Sequence, residues 1–229
     1  MTEMKLLIDD ADISEIRRLY EYYPLDGVTT NPTILARTGK DPAEVLHQIR
    51  DFIGKDALLF VQVTSADCQG MLEDARAIVR ALGSGTVVKI PAVSEGFKAI
   101  RQLKQEGITT CGTAVYTPMQ AYLAAKSGAG YVAPYVNRID NMGFDGTETV
   151  RKIQNIIENS DYECTVLAAS FKNSQQVLEL CEYGIGAATC SPAVIEGFCQ
   201  NPAIDSAVNA FLNDFSRTYG KTIRDLLEK

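Results

Sequence analysis

Short apolar runs alternate along the chain with longer stretches whose apolar positions recur every three or four residues. The runs are Lys5–Asp9, Gly27–Thr30, Leu58–Val63, Val87–Ile90, Ile108–Gly112, Tyr131–Pro134, Cys164–Ala168 and Ile185–Ala188. Their starts lie 21 to 33 residues apart, the length of one βα unit. Most are continuously apolar, as expected of parallel strands covered on both faces. Between them, Met71, Leu72, Ala75, Ile78, Val79 and Leu82 keep a helical period, as do Val150, Ile153, Ile156 and Ile157. Eight such units in order predict an α/β chain closed into a (β/α)8 TIM barrel, with an open doubly wound sheet as the alternative. No GxGxxG or GxxxxGK[ST] follows any run, which weakens a nucleotide-binding version of the open sheet. Past the eighth run the pattern gives a short helix near Pro192–Cys199, then an amphipathic segment carrying Val208, Phe211, Leu212 and Phe215. No linker rich in Gly, Ser or Pro interrupts the chain. The reading is one barrel domain over residues 1–229, with 203–229 as a C-terminal helical extension.

Charge narrows the partners. The 22 Lys and Arg against 29 Asp and Glu leave a net charge of −7, which argues against nucleic acid and against a basic membrane-binding patch. A locally basic pocket for a small anion remains compatible with it. The single histidine, His47, rules out multi-histidine zinc sites and HExxH peptidases. His47 falls off the Val45, Leu46, Ile49 stripe of its helix and reads as solvated. The six cysteines contain no CxxC and read mostly as buried fillers in a reducing compartment. The first five residues lack the pattern of a signal peptide. The longest uncharged stretch, residues 107–125, is broken by Gly112, Pro118 and Gln120. Together these predict a cytoplasmic protein with no membrane span and no metal.

A barrel carries its active site at the C-terminal strand ends. The polar residues there are Asp9, Thr30, Asn31, Gln62, Lys89, Thr113, Asn137, Arg138, Ser170 and Lys172. Lys89 is the most pointed, an ammonium inside the β-branched run Thr86-Val87-Val88-Lys89-Ile90-Pro91. It reads either as a lysine snorkelling from a strand end or as an amine in a dry barrel mouth. Burial disfavours an ammonium relative to an amine, and a neutral amine attacks ketones to form a Schiff base. Asp9 either caps the following helix, a role for which Asp10 and Asp12 compete, or faces the barrel axis to steer a hydroxyl. Tyr135 is either core or a proton shuttle beside the lysine. Arg138 and Lys172 are either solvated or, with Ser170, a phosphate clamp.

These residues sit in segments that resemble the small transaldolase family, and within it the fructose-6-phosphate aldolases. The segments are Gly27-Val28-Thr29-Thr30-Asn31-Pro32, Val87 to Pro91, Gly112-Thr113-Ala114-Val115-Tyr116, Tyr131 to Asp140 and Leu167 to Lys172. The resemblance spans essentially the whole chain. It implies a cofactor-free class I aldolase, with Lys89 as the Schiff-base lysine and Asp9 contacting substrate hydroxyls. It places Gln62, Thr113 and Tyr135 around the catalytic water and the moving protons. Arg138 and Ser170 match its phosphate-binding positions, with Lys172 close by, and Asn31 lines the pocket with Thr30 beside it. Transaldolases of the family carry Glu, Asn and Phe where this chain has Gln62, Thr113 and Tyr135, so the resemblance favours the aldolase branch.

The implied reaction splits fructose 6-phosphate into dihydroxyacetone and glyceraldehyde 3-phosphate. The alternatives are a transaldolase moving the dihydroxyacetone unit between sugar phosphates, and a silent barrel that only binds such sugars. Family members pack the C-terminal helix on a neighbouring subunit, which implies a homo-oligomer of pentamer rings pairing to a decamer. Asp10, Cys111 and residues 141–145 depart from the family pattern and leave substrate preference open.

Overall fold

In the computed structural model, which describes residues 3–83 and 85–228, the chain divides into two compact units, Met1–Ile195 and Glu196–Lys229. The first is a closed barrel of eight parallel strands in sequence order. They are β1 (Lys5–Asp9), β2 (Gly27–Thr29), β3 (Leu58–Gln62), β4 (Thr86–Pro91), β5 (Thr110–Val115), β6 (Tyr131–Pro134), β7 (Thr165–Ala168) and β8 (Ala187–Cys190). The closed barrel expected from eight βα units is what forms, and the open sheet is excluded by the pairing of β1 with both β2 and β8.

Two strands shift from the sequence reading. The β5 run expected at Ile108–Gly112 begins at Thr110, because Ile108 belongs to the turn entering the strand. It extends to Val115 through a register shift between Gly112 and Val115. β8 likewise starts two residues later than the apolar run, at Ala187.

Most of the longer helices that cover the barrel have a capped N-terminus and bury one apolar stripe. Asp12 accepts from the Ser14 N–H at 2.9 Å and opens α1 (Ile13–Tyr22). Asn31 does the same for α2 (Pro32–Arg37), accepting from Ile34, and Asp41 for α3 (Pro42–Ile53). Each such cap contributes about 1 kcal/mol. α4 (Cys68–Leu82) buries Met71, Leu72 and Ala75 against the sheet. α5 (Ser94–Gln105) and α6 (Pro118–Lys126) follow β4 and β5. α7 (Val136–Asp140) and α8 (Gly146–Asn159) follow β6, with Val150, Ile153 and Ile157 of α8 buried. α9 (Ser174–Tyr183) and α10 (Pro192–Glu196) complete the ring. His47 is exposed on α3, as its place off the stripe predicts.

Inside the barrel, Leu7, Phe60, Val87, Cys111, Ala133, Leu167 and Ala187 form a buried layer. Phe60 fills its centre, edge-on to Tyr131 at 5.0 Å between ring centroids. Truncating so large a buried ring costs about 3–5 kcal/mol. The layer forms the floor of the site.

The second unit holds α11 (Pro202–Tyr219) and α12 (Ile223–Leu227). Asn201 caps α11, and a reciprocal Thr222/Asp225 pair caps α12. The unit begins at Glu196, ahead of the boundary at 203 read from the sequence. Phe211 and Leu212 on α11 are exposed. Among the described residues, no helix is long and apolar enough to cross a membrane.

Candidate active site

Strand side chains alternate in and out, so the residue two positions past each floor residue also points inward, one layer higher. Two past Leu7, Phe60, Val87, Cys111 and Ala133 stand Asp9, Gln62, Lys89, Thr113 and Tyr135. The same step from Ala187 reaches Thr189, and from Gly27, the partner of Leu7 in register, it reaches Thr29. One geometric rule therefore gathers five residues picked from the sequence and two that the sequence reading missed.

A cavity of about 80 Å³ opens above the floor, lined by Asp9, Asn31, Lys89, Tyr135, Arg138, Ser170 and Thr189, with Ala133, Leu167 and Ala169 as its apolar wall. Lys89 is 4% exposed, so the snorkelling reading is wrong for it. Its Nζ donates to the Thr30 carbonyl at 2.9 Å. That bond orients the amine and leaves a lone pair free whenever the amine is neutral.

Asp9 faces the axis because Asp12 and Asp10 take the local backbone work. Asp10 accepts from the Ala11 N–H at 2.6 Å and the Asp12 N–H at 2.8 Å. Asp9 instead accepts from the Thr29 hydroxyl at 2.6 Å. Part of the residue reaches solvent at the rim, while its carboxyl is enclosed by protein. Burial pushes that carboxyl above the ordinary aspartate range, against the opposing pull of Lys89 and of the Thr29 hydrogen bond. Asp9 also borders a wider cavity of about 520 Å³ with Asp10, Asp12, Arg37 and Lys40, which does not reach Lys89.

On the opposite wall the Thr113 and Tyr135 hydroxyls lie 3.0 Å apart. Thr113 is fully buried and meets the cavity only through Tyr135. The Arg138 guanidinium stacks over the Tyr135 ring at 4.5 Å and donates to the Tyr116 hydroxyl at 3.4 Å. Tyr116, edge-on to Tyr135 at 5.7 Å, is a third residue missed as a site member, although its motif was singled out. Ser170 sits at φ 60°, a left-handed conformation rare outside glycine. Its carbonyl accepts from the Asn137 N–H at 2.9 Å, which ties the end of β7 to α7 beside Arg138.

Besides Thr113, three picks fall outside the cavity lining. The Thr30 hydroxyl bonds the Phe60 carbonyl at 3.0 Å within the wall, so Thr30 serves through its backbone oxygen rather than its side chain. Gln62 lines a neighbouring groove with Pro32, Thr64 and Pro91. Lys172 is exposed and does not line the cavity, and its N–H donates to Gln176 on α9.

Beneath Lys89, burial pushes the Cys111 thiol up to about 12, so it stays protonated. Cys68, Cys111 and Cys190 are buried, while Cys181 and Cys199 are exposed, so the filler reading fits half the set. Among the described residues, no three His, Cys, Asp or Glu side chains are grouped to hold a metal ion.

The model of the Transaldolase/Fructose-6-phosphate aldolase family matches residues 6–227. The chain belongs to this family. Two solved structures match this family member's barrel by shape. One, described as "Native KDPGal structure", is 14% identical, with a TM-score of 0.58 over 83% of this chain and 84% of that one. Another, a cube-shaped porous protein cage designed by fusing symmetric oligomeric domains, is 12% identical. Its TM-score is 0.60 over 96% of this chain and 81% of that one. At those identities they share the fold alone.

Proposed function

We propose that this family member is a class I aldolase that cleaves and forms fructose 6-phosphate through a Schiff base on Lys89. The observation that carries this reading is a buried lysine on a cavity shared with a carboxylate, a phenol and a guanidinium.

The Lys89 amine adds to the C2 ketone, and loss of water gives an iminium. Tyr135, acting with Thr113 and a water, takes the proton from the C4 hydroxyl. The C3–C4 bond breaks, its electron pair flowing into the iminium to leave an enamine. Glyceraldehyde 3-phosphate departs, its phosphate held by Arg138 beside Ser170. Protonation of the enamine carbon and hydrolysis by one water release dihydroxyacetone and regenerate the amine. Asp9 and Asn31 orient the hydroxyls of the three-carbon unit. Correctly placed acid–base groups of this kind contribute about 10²–10⁴ in rate.

Capture of the enamine by a second aldose would make the same site a transaldolase. The Thr113–Tyr135 hydroxyl pair favours the lyase, because a phenol supplies a titratable group where glutamine at position 62 cannot. The exposed apolar residues of α11 fit the reading that this helix docks on a neighbouring subunit in a homo-oligomer.

Borohydride reduction in the presence of fructose 6-phosphate, followed by peptide mass mapping, tests the proposal. A reduced adduct on Lys89 is expected, and product formation without an added aldose then assigns the lyase. A folded protein that binds the sugar but traps nothing overturns the proposal in favour of a silent binding barrel.

A further inference from the structure

Asp9 is held by the Thr29 hydroxyl, and Thr29 in turn by that of Thr189, and the chemistry above uses neither. β2 and β8 flank β1 on either side and bring Thr29 and Thr189 together across 160 residues of sequence, at 2.7 Å between oxygens. Both are buried, at 0% and 2% exposure. Thr189 lines the cavity and Thr29 does not.

The hydrogens of this chain have a fixed sense. Thr29 has one hydroxyl hydrogen, and an ionised Asp9 can only accept it. The Thr29–Thr189 contact must then be donation by Thr189 onto the Thr29 oxygen. The order is Thr189 to Thr29 to Asp9, running from the cavity wall around to the carboxylate. A protonated Asp9 can instead donate to Thr29, and the whole chain then reverses.

Packing does not explain the hydroxyls. Valine has nearly the shape of threonine, and burying a hydroxyl that lacks a partner carries a cost. Two threonines facing each other inside a barrel answer a need of the group they reach.

We propose that Thr189 is a positioning residue that acts through Thr29 to fix and keep ionised the Asp9 carboxylate. Donation polarises the Thr29 hydroxyl, because hydrogen bonds in a chain strengthen one another in a low-dielectric interior. The strengthened Thr29 bond favours the charged form of Asp9 against the burial that disfavours it. The charged groups that face Asp9 are Lys89 from β4, Arg138 from α7 and Asp10 from its own loop, with the protonated Cys190 thiol from β8. None of these lies between Thr189 and Thr29, so removing the Thr189 hydroxyl leaves the surrounding charges in place. The role of Asp9 in turnover rests on the aldolase reading, whereas the hydroxyl chain does not.

The experiment therefore reads Asp9 directly. Carboxyl carbon shifts are followed against pH in the full-length wild type and in Thr29→Val, Thr189→Val and Thr189→Ser, with Asp9→Asn assigning the signal. The Asp9 midpoint is expected to move up in both valine variants and to stay at the wild-type value in Thr189→Ser. Cleavage of fructose 6-phosphate is expected to fall about three- to tenfold in kcat in Thr189→Val, the worth of one neutral hydrogen bond, with KM unchanged. An unmoved Asp9 midpoint in Thr189→Val overturns the proposal, whatever the enzyme turns over. A moved midpoint in a protein that forms no adduct on Lys89 upholds the hydroxyl chain and refutes the aldolase reading alone.

Discussion

The hydroxyls of Thr113 in β5 and of Tyr135 just past β6 meet at 3.0 Å, with Arg138 stacked on the Tyr135 ring and Tyr116 edge-on to it. A phenol so fixed has a hydrogen-bond partner in the wall and shares its cavity with Lys89. Tyr135→Phe removes the hydroxyl while keeping the ring under Arg138. Cleavage is expected to fall by about 10²–10⁴ in kcat with little change in KM. Steady-state kinetics on fructose 6-phosphate check this, and an unchanged kcat would remove Tyr135 from the proton path.

Among the described residues, Arg138 carries the one guanidinium that lines the cavity. A hydrogen bond to a charged group is worth about 1.5–3 kcal/mol. Arg138→Ala should therefore raise KM for phosphorylated aldoses by about ten- to a hundredfold in the synthesis direction. KM for an unphosphorylated aldehyde should hardly move. Equal losses for both would show that Arg138 acts through its stacking on Tyr135 instead.

Asp74 of α4 pins the loop after β3. Its carboxylate accepts from the Thr64 N–H at 2.8 Å and the Ser65 N–H at 2.9 Å. Burial raises its pKa, but these hydrogen bonds outweigh that and hold it below the ordinary value of 3.8. A depressed folded-state pKa gives stability that is present above the unfolded value and is lost as pH falls through the folded one. Asp74→Asn is expected to cost about 1 kcal/mol at neutral pH. The gap from wild type should begin to shrink as pH falls through 3.8 and close only below the depressed folded value, where both side chains are neutral. Denaturant melts at several pH values measure it, and a gap independent of pH would contradict the assignment.

Gly96 lies in the first turn of α5, where a Cβ would stand 1.9 Å from the Pro91 carbonyl oxygen of β4. Backbone cannot rotate aside as a side chain can. Gly96→Ala is expected to cost about 3 kcal/mol, the upper end of overpacking, and to displace the strand end that follows Lys89. Thermal unfolding with and without the Lys89 adduct reads both effects. A wild-type Tm would mean that the turn yields more easily than its geometry says.

The barrel was legible because eight apolar runs at βα spacing admit few other closures. Lys89 and Asp9 were legible because a charge inside an apolar strand run demands a reason. Thr29 and Thr189 were not, since threonine is at home in any strand and carries no signal until the floor layer fixes which face is inward. Once Ala187 and Gly27, the register partner of Leu7, are known to point in, a step of two residues finds both. Tyr116 follows no such period, because it lies past the end of β5, where loop geometry and not strand alternation aims the side chain. Thr30 and Lys172 are hard to place from sequence for the opposite reason. Each stands one residue or more past a strand end, and a sequence does not say which way the chain turns there.

The one-residue register shift in β5 lies between Gly112 and Val115, with Ala114 at φ 54°. Unbroken alternation from Cys111 would turn Val115 to the axis, and the shift turns it to the outer core instead. The shift breaks the strand into two segments of opposite parity. Cys111 and Thr113 answer to the barrel interior, and Val115 answers to the helices. The two halves of the strand can consequently be redesigned separately. A new side chain at 113 resets what the phenol sees without forcing a compensating exchange in the outer layer.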